Sequence, residues 1–161
     1  VPEAIGHPPF TFGSESSTSG RLMPEHFIKE ATGLTPAEFF STPFGFSGSH
    51  DKTVELVEAG RFETGVVNYK VYERRVKDGT TDPETCKVIW KTPFYADYNF
   101  TAHPDLETLF GAGFTGKLQD ALVAIDDTAL LDALPRENLI PARNVEFDGI
   151  EAVARELGML R

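Results

Sequence analysis

FTFGSESSTSGRLMPEHFIKEATG, residues 10–33, joins a strand signal to a helix signal through a turn of small and polar residues. Phe10–Gly13 alternates apolar with small side chains, the two-residue period of a strand. Arg21–Ala31 reads as a helix, and Gly33 stands where a helix stop belongs. The turn between them, Gly13–Gly20, is rich in serine. Working outward, Thr35-Pro-Ala-Glu38 is a capping box with proline at the first helical position, so a short helix starts there. Phe44–Ser47 reads as a second strand. His50–Ala59 is amphipathic, with Val54, Leu56 and Val57 inward and Gly60 as its stop. Gly65–Asn68 reads as a short apolar strand, Tyr69–Lys77 as a helix and Lys87–Lys91 as a further strand. Strand alternating with helix predicts an α/β layer with crossover helices.

Beyond Tyr98–His103 the pattern turns helical: Asp105–Phe110, Gly116–Asp126, Thr128–Leu134 and Phe147–Leu157, with Gly158 as a stop. The expected division is therefore residues 1–98, an α/β part holding the Ser-rich turn, and residues 99–161, a helical segment. Neither internal repeat nor low-complexity tract is present. With 161 residues, 40% of them hydrophobic, the chain can bury one modest core. Thirteen Phe against one Trp predicts that Phe fills it.

A formal charge of −10 repels nucleic acid and anionic lipid at long range. It does not exclude a small buried anion, because exposed charges are screened beyond roughly 8 Å at physiological salt. Cys86 is the single cysteine, so neither an intrachain disulfide nor a thiolate metal cage can form. His7, His26, His50 and His103 lack the spacing of a zinc site, and no metal or cofactor is expected. No apolar run approaches the roughly 18 residues that span a bilayer. The chain opens at Val1-Pro2 with neither Met nor a signal segment, which reads as processing or truncation and says nothing against export.

The Ser-rich turn carries the chemistry. A helix start leaves several backbone N–H groups unpaired and carries partial positive charge, so an oxyanion can satisfy those donors. Ser16, Ser17, Thr18 and Ser19 add hydroxyls that can rotate to donate. The competing reading is that one serine caps the helix and the others fill the loop. His50 opens another helix, where the dipole favours a neutral imidazole that can donate one N–H; a surface histidine at a helix start is the alternative. Asn68 ends an apolar strand and can face a cleft, or can simply form a turn.

Three other patterns point elsewhere. Gly111-Ala-Gly-Phe-Thr-Gly116-Lys117-Leu118 matches most of a phosphate-binding loop, but Leu118 replaces the hydroxyl residue that holds magnesium, and helix rather than strand precedes it. Ser17, His50 and Asp51 suggest a hydrolase triad, yet adjacent helical residues do not face one another, and no nucleophile elbow occurs. Asp126-Asp127 reads as a cap that complements a helix dipole.

Taken together, FTFGSESSTSGRLMP, FSGSHDKTVELVEAG, GVVNYKVYERR and KVIWKTP resemble consecutive segments of the phosphonate/phosphite-type periplasmic substrate-binding proteins of ABC importers, and within them the branch of selenate-transporter binding proteins. The resemblance implies a type 2 periplasmic-binding fold of two lobes closing like a hinge. It also implies that the Ser-Thr-Ser-Gly turn, here Ser17, Thr18 and Ser19, holds an oxyanion and that His50 adds a contact. Asn68 stands where phosphonate binders often carry an acidic residue, which favours a bare oxyanion over an aminoalkylphosphonate.

On this resemblance the chain covers the second lobe, with the first lobe absent. Its C-terminal helices would then return to a missing partner, which favours self-association. The expected function is capture of selenate, sulfate, phosphate, phosphite or a phosphonate in the periplasm and delivery to an ABC permease, with no catalysis. Two rivals are a serine-dependent hydrolase or phosphatase using Ser17 or Ser19 with His50, and a sensor domain on the same scaffold.

Overall fold

Phe10–Phe12 (β1) is the central strand of a parallel sheet, flanked by Gly45–Phe46 (β2) and Thr64–Gly65 (β3) in the order β2-β1-β3. Thr11 lies opposite Gly45 on one side and Gly65 on the other. This is a computed structural model, and it describes residues 3–7, 9–134 and 136–160. All three residues of β1 are buried, as befits a strand covered on both faces.

Alternation along β1 sends Phe10 and Phe12 to one face and Thr11 to the other. The phenylalanine face packs on Ile5, Ile28 and Phe40, the main core. Phe10 stacks on Phe40 with centroids 4.2 Å apart, and Phe12 meets the edge of Phe44 at 5.2 Å. With strands of two and three residues, the ladder supplies few hydrogen bonds. Burial carries more, at about 1.5–3 kcal/mol for each phenylalanine ring. The prediction of a Phe-filled core holds.

Ile28 lies in α1, Met23–Thr32, and Phe40 follows α2, Pro36–Phe39, so the β1–β2 crossover covers this face. α1 stops at Gly33 with φ 73°, and the Thr35–Glu38 capping box forms, as the sequence predicts. The Thr11 face is covered by α3, His50–Glu58, from the β2–β3 crossover. Its Thr53 comes so close that a Cβ on Gly65 would lie 2.7 Å from the Thr53 methyl. Connections leaving β1 and β2 thus run to opposite faces, and the carboxyl ends of the strands open between them.

α4, Tyr69–Lys77, has the predicted bounds. Residues 87–91 are a correction: KVIWK forms no strand. Val88, Ile89 and Trp90 are substantially exposed, and no neighbouring strand offers a ladder. Apolar residues of high strand propensity do not make a strand without backbone partners.

Two compact units are present, one of Val1–Phe94 with Gly149–Arg161 and the other of Tyr95–Asp148. α8, Asp148–Glu156, belongs but for its first residue to the first unit, where Glu156 pairs with Lys29 at 2.9 Å. The second holds α5 (Leu106–Phe110), α6 (Phe114–Val123) and α7 (Thr128–Asp132). Gly111 and Gly113, with φ of 94° and 81°, separate α5 from α6, so a helix precedes the glycines of the phosphate-loop look-alike. Among the described residues, no helix is long and apolar enough to cross a membrane.

Candidate functional site

At the carboxyl edge of the sheet, the backbone folds back on the end of β1. Gly13 donates to the Gly20 carbonyl at 2.8 Å, closing the Ser-rich turn into a loop. The two glycine Cα atoms approach so closely that a Cβ on either would stand 3.2 Å from the other Cα. From the next crossover, Ser47 and Gly48 donate to the carbonyls of Phe12 and Gly13 at 3.0 and 3.2 Å. One strand end therefore anchors both the loop before α1 and the loop before α3.

The loop enters α1 through a π-turn, Thr18–Leu22, in which the Leu22 N–H reaches the Ser17 carbonyl at 3.0 Å. Such wide turns concentrate at functional positions. Ser17 is the cap: its Oγ accepts the Gly20 N–H at 2.9 Å. Ser17 thus caps the helix with its side chain, while the Ser19 hydroxyl bonds elsewhere. Among the described residues, nothing accepts the N–H of Thr18 or Ser19, nor those of His50 and Asp51 in the first turn of α3. Two helix starts thus present free amide donors at the same strand end.

Ser19 Oγ lies 3.3 Å from His50 Nε2, joining positions 31 residues apart. On the other side of the ring, the Asn68 backbone N–H donates to His50 Nδ1 at 3.2 Å. An amide N–H can only donate, so Nδ1 is the unprotonated nitrogen and the ring proton sits on Nε2. Nε2–H then donates to Ser19 Oγ, and the Ser19 hydroxyl proton is left pointing elsewhere. Desolvation lowers the His50 pKa, with Asp51 opposing, so the neutral ring predicted at this helix start is what burial enforces. Asn68 also caps α4, its Oδ1 accepting from the Lys70 N–H at 2.9 Å. Asn68 thus caps α4 with its side chain and meets His50 through its main chain.

This geometry gives the hydrolase alternative no support. A general base for Ser19 would need a bare Nε2, and here that nitrogen carries the proton. Ser17 Oγ is bonded to Gly20 and makes no bond to His50. Asp51, the third member of such a triad, turns from the ring to Arg74 and Arg75 at 2.7 and 3.3 Å.

Several supports were not legible in the sequence. Asp51 and Glu58 bind Arg75 from α4, at 3.3 and 3.6 Å, locking α4 against α3. Arg21 ion-pairs with Glu25 and spreads over the rings of Phe12 and Phe46, 5.0 and 4.9 Å from their centroids. No local spacing signals a contact across 18 or 24 positions. Only the basic and acidic residues on the facing helices hinted at the second kind.

Residues 3–147 match the family described as the periplasmic substrate-binding protein of the phosphonate ABC transporter. A relative from Prochlorococcus marinus (strain MIT 9301), named "Probable ABC transporter phosphite binding protein PhnD1", is 40% identical over 157 residues. That alignment takes in 94% of this chain and 52% of the relative. The solved structure of PhnD1 from the same organism, in complex with methylphosphonate, is similar to this chain with a TM-score of 0.84 and 37% identity. It covers 98% of this chain and 60% of the solved one. The chain thus spans roughly half to three-fifths of the length of these relatives.

Proposed function

This chain belongs to the family of periplasmic substrate-binding proteins of phosphonate ABC transporters, and from that premise we propose that it captures a small tetrahedral oxyanion of the phosphite or phosphonate kind. Capture takes place in the periplasm, and the loaded protein delivers its ligand to an ABC permease. No bond of the ligand is made or broken. The ligand-binding residues of this proposal are Ser17, Thr18, Ser19 and His50, with Asn68 acting through its main chain. Residues 1–98 form the part that holds them; of residues 99–161, the helices before α8 would pack on a further lobe, whereas 149–161 belong with the first unit.

The observation that carries the reading is the Ser19–His50–Asn68 junction, in which three helix starts meet at the carboxyl end of β1. Such a junction offers amide and hydroxyl donors fixed before the ligand arrives, so they need little reorganisation to replace its water shell. Asn68 brings no carboxylate to this edge. A ligand amine would therefore find no counter-charge there, and a bare oxyanion is preferred to an aminoalkylphosphonate.

Titration calorimetry of the chain with methylphosphonate, phosphite, phosphate, sulfate and selenate tests the proposal. At least one of them binds saturably, and Ser19→Ala weakens that binding about ten- to a hundredfold, as expected for a hydrogen bond to a charged group. No binding to any of them overturns the function. Tighter binding of an aminoalkylphosphonate removes the preference alone.

A further inference from the structure

We infer that this site selects its ligand by protonation state, taking the fully deprotonated dianion of a phosphonate or phosphite and discriminating against the monoanion, because Asn68, through His50, leaves the Ser19 hydroxyl as a donor. The inference rests on the oxyanion-binding reading above and deepens it.

The argument follows the direction of each hydrogen bond. The Asn68 amide donates to Nδ1, which puts the ring proton on Nε2. Nε2–H donates to Ser19 Oγ and occupies an acceptor position of that oxygen. The Gly20 N–H does the same to Ser17 Oγ. Each hydroxyl keeps its own proton, and with an inbound donor already bound, each is set to donate to a third party. The free amides of Thr18, Ser19, His50 and Asp51 are donors by nature.

Carboxylates that could accept a ligand proton are engaged elsewhere or solvated. Asp51 is held by Arg74 and Arg75, Glu25 by Arg21, and Glu15 in the loop is exposed. A ligand P–O–H facing this array meets amide donors, and its proton can go only to a second lone pair of a serine or threonine hydroxyl, where a fully deprotonated ligand oxygen would itself have accepted, a loss comparable to one unmade hydrogen bond. A dianion accepts throughout. Around the ring, the charged group whose field reaches it is Asp51 on its own helix; the β1–α1 loop presents the neutral Ser19, and the start of α4 presents the Asn68 amide. Asn68 is thus a positioning residue that acts through the imidazole tautomer.

The test measures methylphosphonate binding to the chain across the pH range of the ligand's second ionisation, with the phosphorus NMR signal of the bound ligand recorded alongside. Affinity falls about tenfold per pH unit on the acid side, as linkage to one proton requires, and the bound signal stays at the dianion position where free ligand is monoanionic. His50→Gln separates ligand from ring, since glutamine can accept from Asn68 and donate to Ser19 without titrating. Whatever its affinity, its slope with pH persists. Binding with a flat profile, a bound signal that titrates, or a slope that vanishes in His50→Gln overturns the inference and leaves the proposed function standing. No binding at any pH overturns both.

Discussion

Desolvation holds the His50 imidazole below the ordinary histidine value of 6.5, and Asp51 works against it. The sign for stability follows. Below that value the unfolded chain takes up a proton that folded His50 refuses, so stability falls as pH drops from the unfolded pKa toward the folded one, and no such loss occurs above it. Thermal melts from neutral to mildly acidic pH should show a steeper fall in Tm for the natural chain than for His50→Gln. Parallel curves would mean that the ring protonates without resistance. Ser19 is the complementary case: half-buried and bonded only through its hydroxyl to a ring, Ser19→Ala should alter Tm little while it weakens ligand binding.

Among the elements, the loop between β1 and α1 depends on backbone contact that no side chain can replace. A Cβ on Gly20 would stand 2.9 Å from Ser17 Oγ and 3.2 Å from the Gly13 Cα, while the Gly13–Gly20 hydrogen bond holds both strands of the loop together. Gly20→Ala should destabilise the chain by about 1–3 kcal/mol through overpacking and reduce ligand affinity as well. Chemical denaturation beside calorimetry checks both halves, and an unchanged affinity would show that the loop's closure does not shape the site. At the start of α3, Ser49 Oγ accepts the Lys52 N–H at 3.2 Å. Ser49→Ala should remove about 1 kcal/mol of stability, the ordinary value of a lost cap, as read from the denaturation midpoint.

Among the described residues, the aromatic core gathers on one face of one short strand. Phe12 has no exposed surface and contacts Phe10, Phe40, Phe44 and Phe46 by ring geometry. Phe12→Ala should therefore lower stability by about 3–5 kcal/mol, measured by denaturant melts. Elsewhere large apolar side chains face solvent: Ile89 is 60% exposed, Phe94 99% and Phe100 61%. Exposed apolar surface on this scale favours contact with another molecule. Analytical ultracentrifugation of this chain should show reversible self-association that strengthens with concentration, and a monomer at every concentration would remove that expectation.

The sequence by itself determined the alternation of strand and helix from β1 to α4, several helix ends and the presence of a serine-rich turn between β1 and α1. These are local: the Thr35–Glu38 box, the Gly33 stop, the bounds of α4 and the serine-rich segment all act within a few positions, where spacing carries the physics. It also marked Ser19 and His50 as candidate site residues, in part through resemblance. Tertiary structure decided which partners those residues meet. Whether KVIWK became a strand depended on a neighbouring ladder, and the His50 tautomer depended on an amide 18 positions away. A hydrogen bond's direction is set by the partner that arrives in space, and no periodicity along the chain encodes which partner that will be.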